Sequence, residues 1–328
     1  MEKFAILGSN SFSGAHCVSQ LLEEGAEVLG ISRSPEPHDS FLPYKQKRGA
    51  LFRFHQLDLN HHLPQVTSVI QEFKPEYVIN FAAQSMVGES WLHPEHWFQT
   101  NVMAAVLLHN ALRTCAFLKK YVHISTPEVY GCCQGRQSEH TRYEPSTPYA
   151  VSRAAADMYL MTLYRTYSFP VVFTRAANVY GPGQQPYRII PKTMVSIITG
   201  RRLPLHGGGR SVRSFIYIRD VISGTLKAAR LAEPGEIFHF STDSAVSIRD
   251  LVGRIAQKLG REYESCIEDA EDRPGKDLAY LLDSGKARSQ LNWKDAVSLE
   301  QGLNETLAWV ESNLDLLRSL PLSYIHKP

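Results

Sequence analysis

The sequence predicts an α/β fold: a doubly wound parallel sheet with a smaller, partly interleaved C-terminal lobe. Two observations carry the prediction. Through the first 180 residues, short runs of apolar and β-branched residues alternate with helix-length amphipathic segments, the pattern of a parallel sheet covered on both faces. Beyond about residue 180 the texture changes. Glycine and proline cluster in "YGPGQQP" and "LHGGGRS", and shorter, less regular segments follow. The division expected is therefore 1–180 for the sheet domain and 181–328 mainly for the lobe, with some segments returning to the sheet.

Each strand is expected from its own run: "FAIL" (4–7), "EVLGIS" (27–32), "LFRFHQL" (51–57), "YVINFA" (77–82), "YVHIS" (121–125) and "VVFTRAA" (171–177). Helical spacing is expected near 14–24, 62–73, 98–116 and 149–168. Right-handed crossovers in such a sheet place ligands at the carboxyl ends of the strands. The sequence shows no repeats and no low-complexity tract.

Composition narrows the function classes. The chain has 328 residues, 43% hydrophobic and 21% charged, with a formal net charge of +2. That balance leaves no footprint for nucleic acid or an anionic membrane, so phosphate binding must be local. No apolar run approaches the ~20 residues of a spanning helix. The opening "MEKFAILGSN" enters a strand without the regions of a signal peptide. Five cysteines (Cys17, Cys115, Cys132, Cys133, Cys266) lack metal-ligand spacing. They read as reduced thiols, the adjacent Cys132 and Cys133 included, and the protein is expected in the cytoplasm.

The first strand runs directly into "GSNSFSG". A dinucleotide-binding turn needs glycine where backbone approaches a pyrophosphate and where helix packs on strand. Gly8 and Gly14 fill the outer positions of that pattern and Ser11 stands at the middle one, with Phe12 beside it. This makes the sheet a candidate Rossmann domain. The second strand ends in Ser32 and Arg33, with no carboxylate where an NAD enzyme places one for the ribose 2′-hydroxyl. A guanidinium suits a 2′-phosphate, so NADP is favoured over NAD. Asp58 and Leu59, after the third strand, and Ala82 and Ala83, after the fourth, join the candidate cofactor set, to which Tyr149 and Arg153 of "YAVSR" also belong, the cation being able to hold the cofactor's ribose.

"YAVSR" sets Tyr149 and Arg153 four residues apart on a predicted helix, one turn from each other on one side. A phenol with an ordinary pKa near ~10 becomes a usable base when a neighbouring cation favours its phenolate. "STPEVYG" lies about twenty residues earlier at a strand end, supplying Thr126 and Glu128. A hydroxyl, a carboxylate and a phenol beside a hydride acceptor make an acid–base constellation.

With "NFAAQSMVGES", "STPEVYG", "PYAVSRAAAD", "RAANVYGPGQ", "RSVRSFIYIRD" and "DRPGKDLAYLLDSGKARSQLNW" on the page, the chain resembles the extended short-chain dehydrogenase/reductases of the nucleotide-sugar 4,6-dehydratase branch. The likeness runs from the glycine turn to about residue 310. "GISRS" and "AAQS" are similar to GDP-mannose 4,6-dehydratases, whereas the C-terminal half is closer to dTDP-glucose 4,6-dehydratases. The resemblance implies a lyase with a tightly bound, recycled nicotinamide cofactor. Tyr149 takes the sugar 4-hydroxyl proton as hydride leaves C4, Thr126 positions that hydroxyl, Glu128 removes the C5 hydrogen, water leaves from C6, and hydride returns there. It also implies a homodimer paired through the helices near 98–116 and 149–168.

For the substrate, the resemblance implies Asn178, Arg213 and Arg273 at the diphosphate and nucleoside, Lys192 and His206 beside the base, and Gln84 and Ser85 at the sugar. Three positions depart from the family pattern. Ser11 replaces glycine. Pro127 stands where dTDP-glucose dehydratases carry an acid for the 6-hydroxyl, which leaves Glu128 to handle both proton transfers. Arg153 replaces lysine. These departures keep open an epimerase, a reductase or a 5,6-dehydratase of the same family, and, outside enzymes, a cofactor-binding sensor.

Overall fold

The structure, a computed structural model, describes residues 1–47, 49, 51–132, 135–271 and 281–328. Seven strands form one parallel sheet: β1 (Lys3–Leu7), β2 (Glu27–Ser32), β3 (Phe52–Gln56), β4 (Tyr77–Asn80), β5 (Lys120–Ile124), β6 (Val171–Ala176) and β7 (Ile237–Phe240). Their spatial order is β3-β2-β1-β4-β5-β6-β7. The order reverses between β1 and β4, the switch point at which doubly wound sheets bind ligands. The fold class read from the sequence is the one observed. The first six strands fall where the apolar runs placed them; β7 was not anticipated, and it comes from the region after residue 180.

Alternation along each strand divides the core. Phe4 and Ile6 of β1 join one apolar cluster with Val18, Leu21 and Leu226, while Ala5 and Leu7 join the other with Val66, Ile70, Leu108 and Leu160. The period of two sends neighbours to opposite faces, and helices cover both. On the first face lie α1 (Phe12–Glu23) and a helix at Ile218–Leu231; on the second lie α2 (Leu63–Phe73), α3 (Pro94–Phe98), α4 (Ala105–Leu112) and α5 (Pro148–Tyr167). The helix expected near 98–116 starts earlier, at Pro94, and contains a π-helical stretch at Gln99–Ala104. After residue 180 come a helix at Ile189–Ile198 and short pairs such as Leu203–His206 with Ile267–Ala270.

The turn after β1 explains the serine in the glycine motif. Gly8 has φ +78°, and a Cβ there would stand 2.9 Å from the Ala82 nitrogen across the switch point. A Cβ on Gly14 would come within 2.1 Å of the Gly8 carbonyl oxygen. Neither position tolerates a side chain. Ser11 sits between them at φ −71°, ψ 164° as the N-cap of α1, and its Oγ accepts from the Gly14 N–H at 3.2 Å. That conformation needs no glycine, and the hydroxyl satisfies a helix-end donor. Replacing Ser11 by alanine is expected to cost about 1 kcal/mol of stability and replacement by glycine only a few tenths, measured by urea unfolding of the two variants.

Candidate active site

The cofactor end is a cleft of about 160 Å³ at the switch point. Gly8, Ser11, Ser32, Arg33, Asp58, Leu59, Ala82, Ala83 and Gln84 line it together. Gly14 stands behind this wall, packed on Gly8, and Phe12 lies edge-on to His16 with ring centres 5.3 Å apart. Ser32 is buried, and its hydroxyl accepts from the Asn10 N–H at 3.1 Å. Asp58 accepts from the Asn60 N–H at 2.8 Å. Arg33 donates to the carbonyls of Pro328 at 2.6 Å and Lys327 at 3.2 Å.

Gln84 is buried and clamped by a residue that sequence reasoning missed. Asn101, inside the π-helical stretch, accepts from the Gln84 N–H at 2.9 Å and donates to its carbonyl at 3.0 Å. The same side chain donates to Ser152 Oγ on α5 at 2.9 Å. A π-turn is costly in a helix and recurs at functional positions. Here it aims a buried amide at the Gln84 loop and at α5. Ser85, one residue on, is exposed.

At the end of β5, Thr126 caps a short helix, Pro127–Tyr130, its Oγ accepting from the Glu128 N–H at 3.3 Å. Pro127 is the first residue of that helix. Its fixed φ suits the position and its missing N–H would have gone unused there. Proline thus sets the backbone that carries Glu128, which is half-buried. Tyr149 is buried near the start of α5 and shares a hydrogen bond with Thr126. Burial raises its pKa first, the Glu128 carboxylate raises it further, and Arg153 and Thr126 pull it back. The net direction is upward. The phenolate expected from an adjacent cation is therefore not the resting form here, because desolvation outweighs the guanidinium.

Arg153 itself points into the protein. It is 3% exposed, donates to the Ile124 carbonyl and lies 3.2 Å from His123 Nε2. Behind it is a buried network absent from the sequence reading. Asp157, one turn along α5, pairs with Arg175 of β6 at 2.8 Å, both fully buried, and accepts from Ser125 Oγ at 2.7 Å. Arg175 also donates to Tyr130 and Tyr143. Tyr130 meets His239 of β7 at 2.7 Å. Burial and the cations Arg153 and Arg175 keep His123 well below its ordinary pKa; burial and Arg175 take His239 down to about 3. Both rings are neutral, as buried imidazoles beside guanidinium groups must be.

The residues expected at the substrate are placed in or beside the later lobe. Asn178 donates to the Ser214 carbonyl at 3.3 Å, Arg213 to the Val212 carbonyl at 2.8 Å, and His206 Nδ1 lies 2.7 Å from the Glu271 carbonyl. Lys192 is half-buried on the helix Ile189–Ile198. Arg273 lies outside the described residues, as does Cys133.

Comparison with known proteins identifies the family. The model described as GDP-mannose 4,6 dehydratase matches residues 6–306. The chain belongs to that family. Its relatives include a dTDP-D-glucose 4,6-dehydratase of Mus musculus, 30% identical over 95% of this chain and 89% of the mouse protein. A dTDP-glucose 4,6-dehydratase of Xanthomonas campestris pv. campestris is 33% identical over 95% of this chain and 94% of its own length. Among solved structures, the dTDP-glucose 4,6-dehydratase of Streptomyces venezuelae with NAD bound superposes with a TM-score of 0.91 at 29% identity, covering 97% of this chain and 100% of that one. A UDP-glucuronic acid 4-epimerase of Bacillus cereus with NAD bound reaches 0.87 at 25% identity, covering 94% and 99%. The chain is thus a nucleotide-sugar dehydratase of the short-chain dehydrogenase/reductase type, in a family of nicotinamide enzymes. Among the described residues, no helix is long and apolar enough to cross a membrane.

In this family member the Asp157–Arg175 pair joins the tyrosine helix to the sheet. Breaking a buried pair from one side leaves a charge unpaired, so Asp157→Asn is expected to lose about 3–5 kcal/mol of stability, read from denaturant melts. Arg175→Met in the Asp157→Asn background should recover part of that loss.

Proposed function

We propose that the chain is a lyase that dehydrates a nucleotide-diphosphate hexose across C5 and C6 after oxidation at C4. The observation that carries this reading is the convergence of Thr126, Glu128 and Tyr149: the hydroxyl is hydrogen-bonded to the phenol, and the carboxylate is close enough to raise the phenol's pKa. A nicotinamide group, when bound, accepts hydride from C4 and returns it to C6. Tyr149 rests as the neutral phenol and must first give up its own proton. As the phenolate, which Arg153 favours and the positive charge of an oxidised nicotinamide beside it would favour further, it takes the proton of the 4-hydroxyl, and Thr126 holds that hydroxyl toward the ring. Glu128 removes the proton at C5, made acidic by the 4-ketone, and delivers a proton to the departing 6-hydroxyl; a proton drawn from solvent then completes C5 as hydride reaches C6. One carboxylate performs both transfers because Pro127 has no proton to give. A carboxylate in the C5 position also favours dehydration over epimerisation at C4, which needs no base there.

The cleft at the switch point fits the cofactor, since the close approach of Gly8 to Ala82 leaves backbone where a side chain would block a dinucleotide. Gly8, Ser11, Ser32, Arg33, Asp58, Leu59, Ala82 and Ala83 would hold its adenosine and pyrophosphate end. Related structures carry NAD. Arg33 and Ser32, without a carboxylate at the end of β2, support NADP for this chain. Asn178, Lys192, His206, Arg213 and Arg273 are proposed for the nucleoside diphosphate, with Gln84 and Ser85 at the sugar. A homodimer is supported by Met103, Leu107, Val151 and Met158, apolar side chains left exposed on the π-helical stretch, α4 and α5. Pairing those faces would bury them.

Incubation of UDP-, dTDP-, GDP- and CDP-hexoses in heavy water should yield, for one of them, a product lighter by one water and carrying deuterium at C5. Exchange without loss of water would replace dehydration by epimerisation. Glu128→Gln should lower turnover at least about 100-fold and remove the C5 exchange, the scale of a lost acid–base group. Cofactor titration of an Arg33→Ala variant should show NADP weakened roughly tenfold or more, with NAD little changed. Equal weakening of both would assign Arg33 to something other than the 2′-phosphate.

A further inference from the structure

Arg153 lies one turn along α5 from Tyr149 and is 3% exposed. A guanidinium has only donors and keeps its charge at every working pH. Buried, it needs acceptors that hold still. Two are present, and both face the same nitrogen. Arg153 Nη2 donates to the Ile124 carbonyl and lies 3.2 Å from Nε2 of His123. Those two residues end β5, immediately before the Ser125–Thr126 turn. Any residue at 124 would offer the carbonyl. The second acceptor exists only because position 123 carries an imidazole.

The contact fixes the state of that ring. Arginine has no lone pair to offer, so Nε2 must carry one and the ring proton must sit on Nδ1. The surroundings agree. Arg153 and Asp157 face His123 from α5, Arg175 from β6, His109 from α4 and Tyr121 from β5 itself. Burial and the two guanidinium groups keep the imidazole neutral. Asp157 Oδ1 is 3.4 Å from the same Nε2 and would attract a proton there. That carboxylate is held through its other oxygen by Arg175 at 2.8 Å and Ser125 Oγ at 2.7 Å. The lone pair thus stays turned to Arg153. A leucine would fill much of the same space, but it accepts no hydrogen bond.

We propose that His123 is a positioning residue for the candidate base: its Nε2 lone pair holds the Arg153 guanidinium beside Tyr149, giving the phenolate a fixed counter-charge supplied by the protein. The inference rests on the reading of Tyr149 as the base. Three charged groups face that phenol: Glu128 from the short helix Pro127–Tyr130, Arg153 from α5, and Arg188 at the start of the helix Ile189–Ile198. Glu128 opposes ionisation and the two arginines favour it. Arg188 is half-buried, whereas Arg153 is sealed from solvent, so the charge of Arg153 is the less screened. Without its imidazole acceptor the guanidinium would keep a buried N–H unpaired and would be free to shift. The phenol would then lose its proton only at higher pH.

Two measurements test this. Nitrogen NMR of the full chain with labelled histidine, His123 being assigned by its loss in His123→Gln, should show a neutral ring protonated on Nδ1. A proton on Nε2, or an imidazolium, overturns the proposal whatever reaction the chain performs. In turnover of the nucleotide hexose, His123→Leu should lower kcat about tenfold and leave KM little changed. The deficit should shrink as pH rises, because the acid limb of the profile follows the phenol upward. His123→Gln, which keeps a neutral acceptor, should restore most of the rate, and thermal melts of both variants control for folding. A loss that is equal at every pH, or one shared by His123→Gln, assigns the ring to packing and overturns the proposal. If no hexose reacts, the reading of Tyr149 fails and the proposal with it, while the tautomer still decides what Arg153 is bonded to.

Discussion

The buried ion pair between Asp157 and Arg175 is the contact on which the rest of the site depends. At 2.8 Å and full burial it is paid for in desolvation, which pairing alone seldom repays. Its return is placement. Asp157 belongs to the helix that carries Tyr149 and Arg153, Arg175 belongs to β6, and Ser125, bonded to the same carboxylate, immediately precedes Thr126. One carboxylate thus fixes the phenol's helix, the hydroxyl's loop and the sheet edge against each other. Tyr130 and His239 extend the network to β7, so the strand added by the later part of the chain braces the same corner.

The three departures from the family pattern become intelligible within that frame. Each of the replacing residues has a structural occupation of its own. Ser11 caps a helix in a conformation that needs no glycine. Pro127 begins the helix that presents Glu128. Arg153 is longer and flatter than lysine, and its guanidinium reaches past the tyrosine to the Ile124 carbonyl and His123. Its charge still lowers the phenol's pKa, though less than burial raises it. A planar fork held from below keeps its position without help from a ligand, whereas an ammonium has no such preference for two fixed acceptors. These are features of a working scaffold, which weighs against reading them as the remains of a lost site.

The architecture was legible because its signals are local. Short apolar runs marked six strands, and the split of β1 between two apolar clusters shows that helices cover both faces of the sheet. β7 escaped because "IFHF" is four residues long, carries a histidine and follows a Pro-Gly turn. The positions lining the cleft were readable from the switch-point rule. The buried network was not, although one signal was present: His123 and Arg175 are polar residues in the middle of strands that the sequence marks as buried on both faces. A charge there needs a partner, and the partner lies across α5, where no spacing rule points. Asn101 was hidden for a different reason, since a π-turn shifts the helical face by one residue and removes it from any 3.6-residue pattern.

The segment 321–328 extends this logic to contacts more than two hundred residues apart in sequence, from Lys327 to Gln84 and Arg33. Arg33 has two claims on it. In the structure it holds the Lys327 carbonyl and an oxygen of Pro328, on a segment exposed to solvent; under the proposed cofactor assignment it would hold a doubly charged phosphate. A dianionic phosphate attracts a guanidinium more strongly than the dipole of the Lys327 carbonyl does, so a 2′-phosphate would compete for Arg33 at this end. The contacts of Tyr324 with Tyr187 and of His326 with Trp97 and His96 do not use Arg33. A bound adenosine end would therefore contend for Arg33 with the tip of the segment alone, while Gln84, clamped by Asn101, has its own bond to the Lys327 carbonyl.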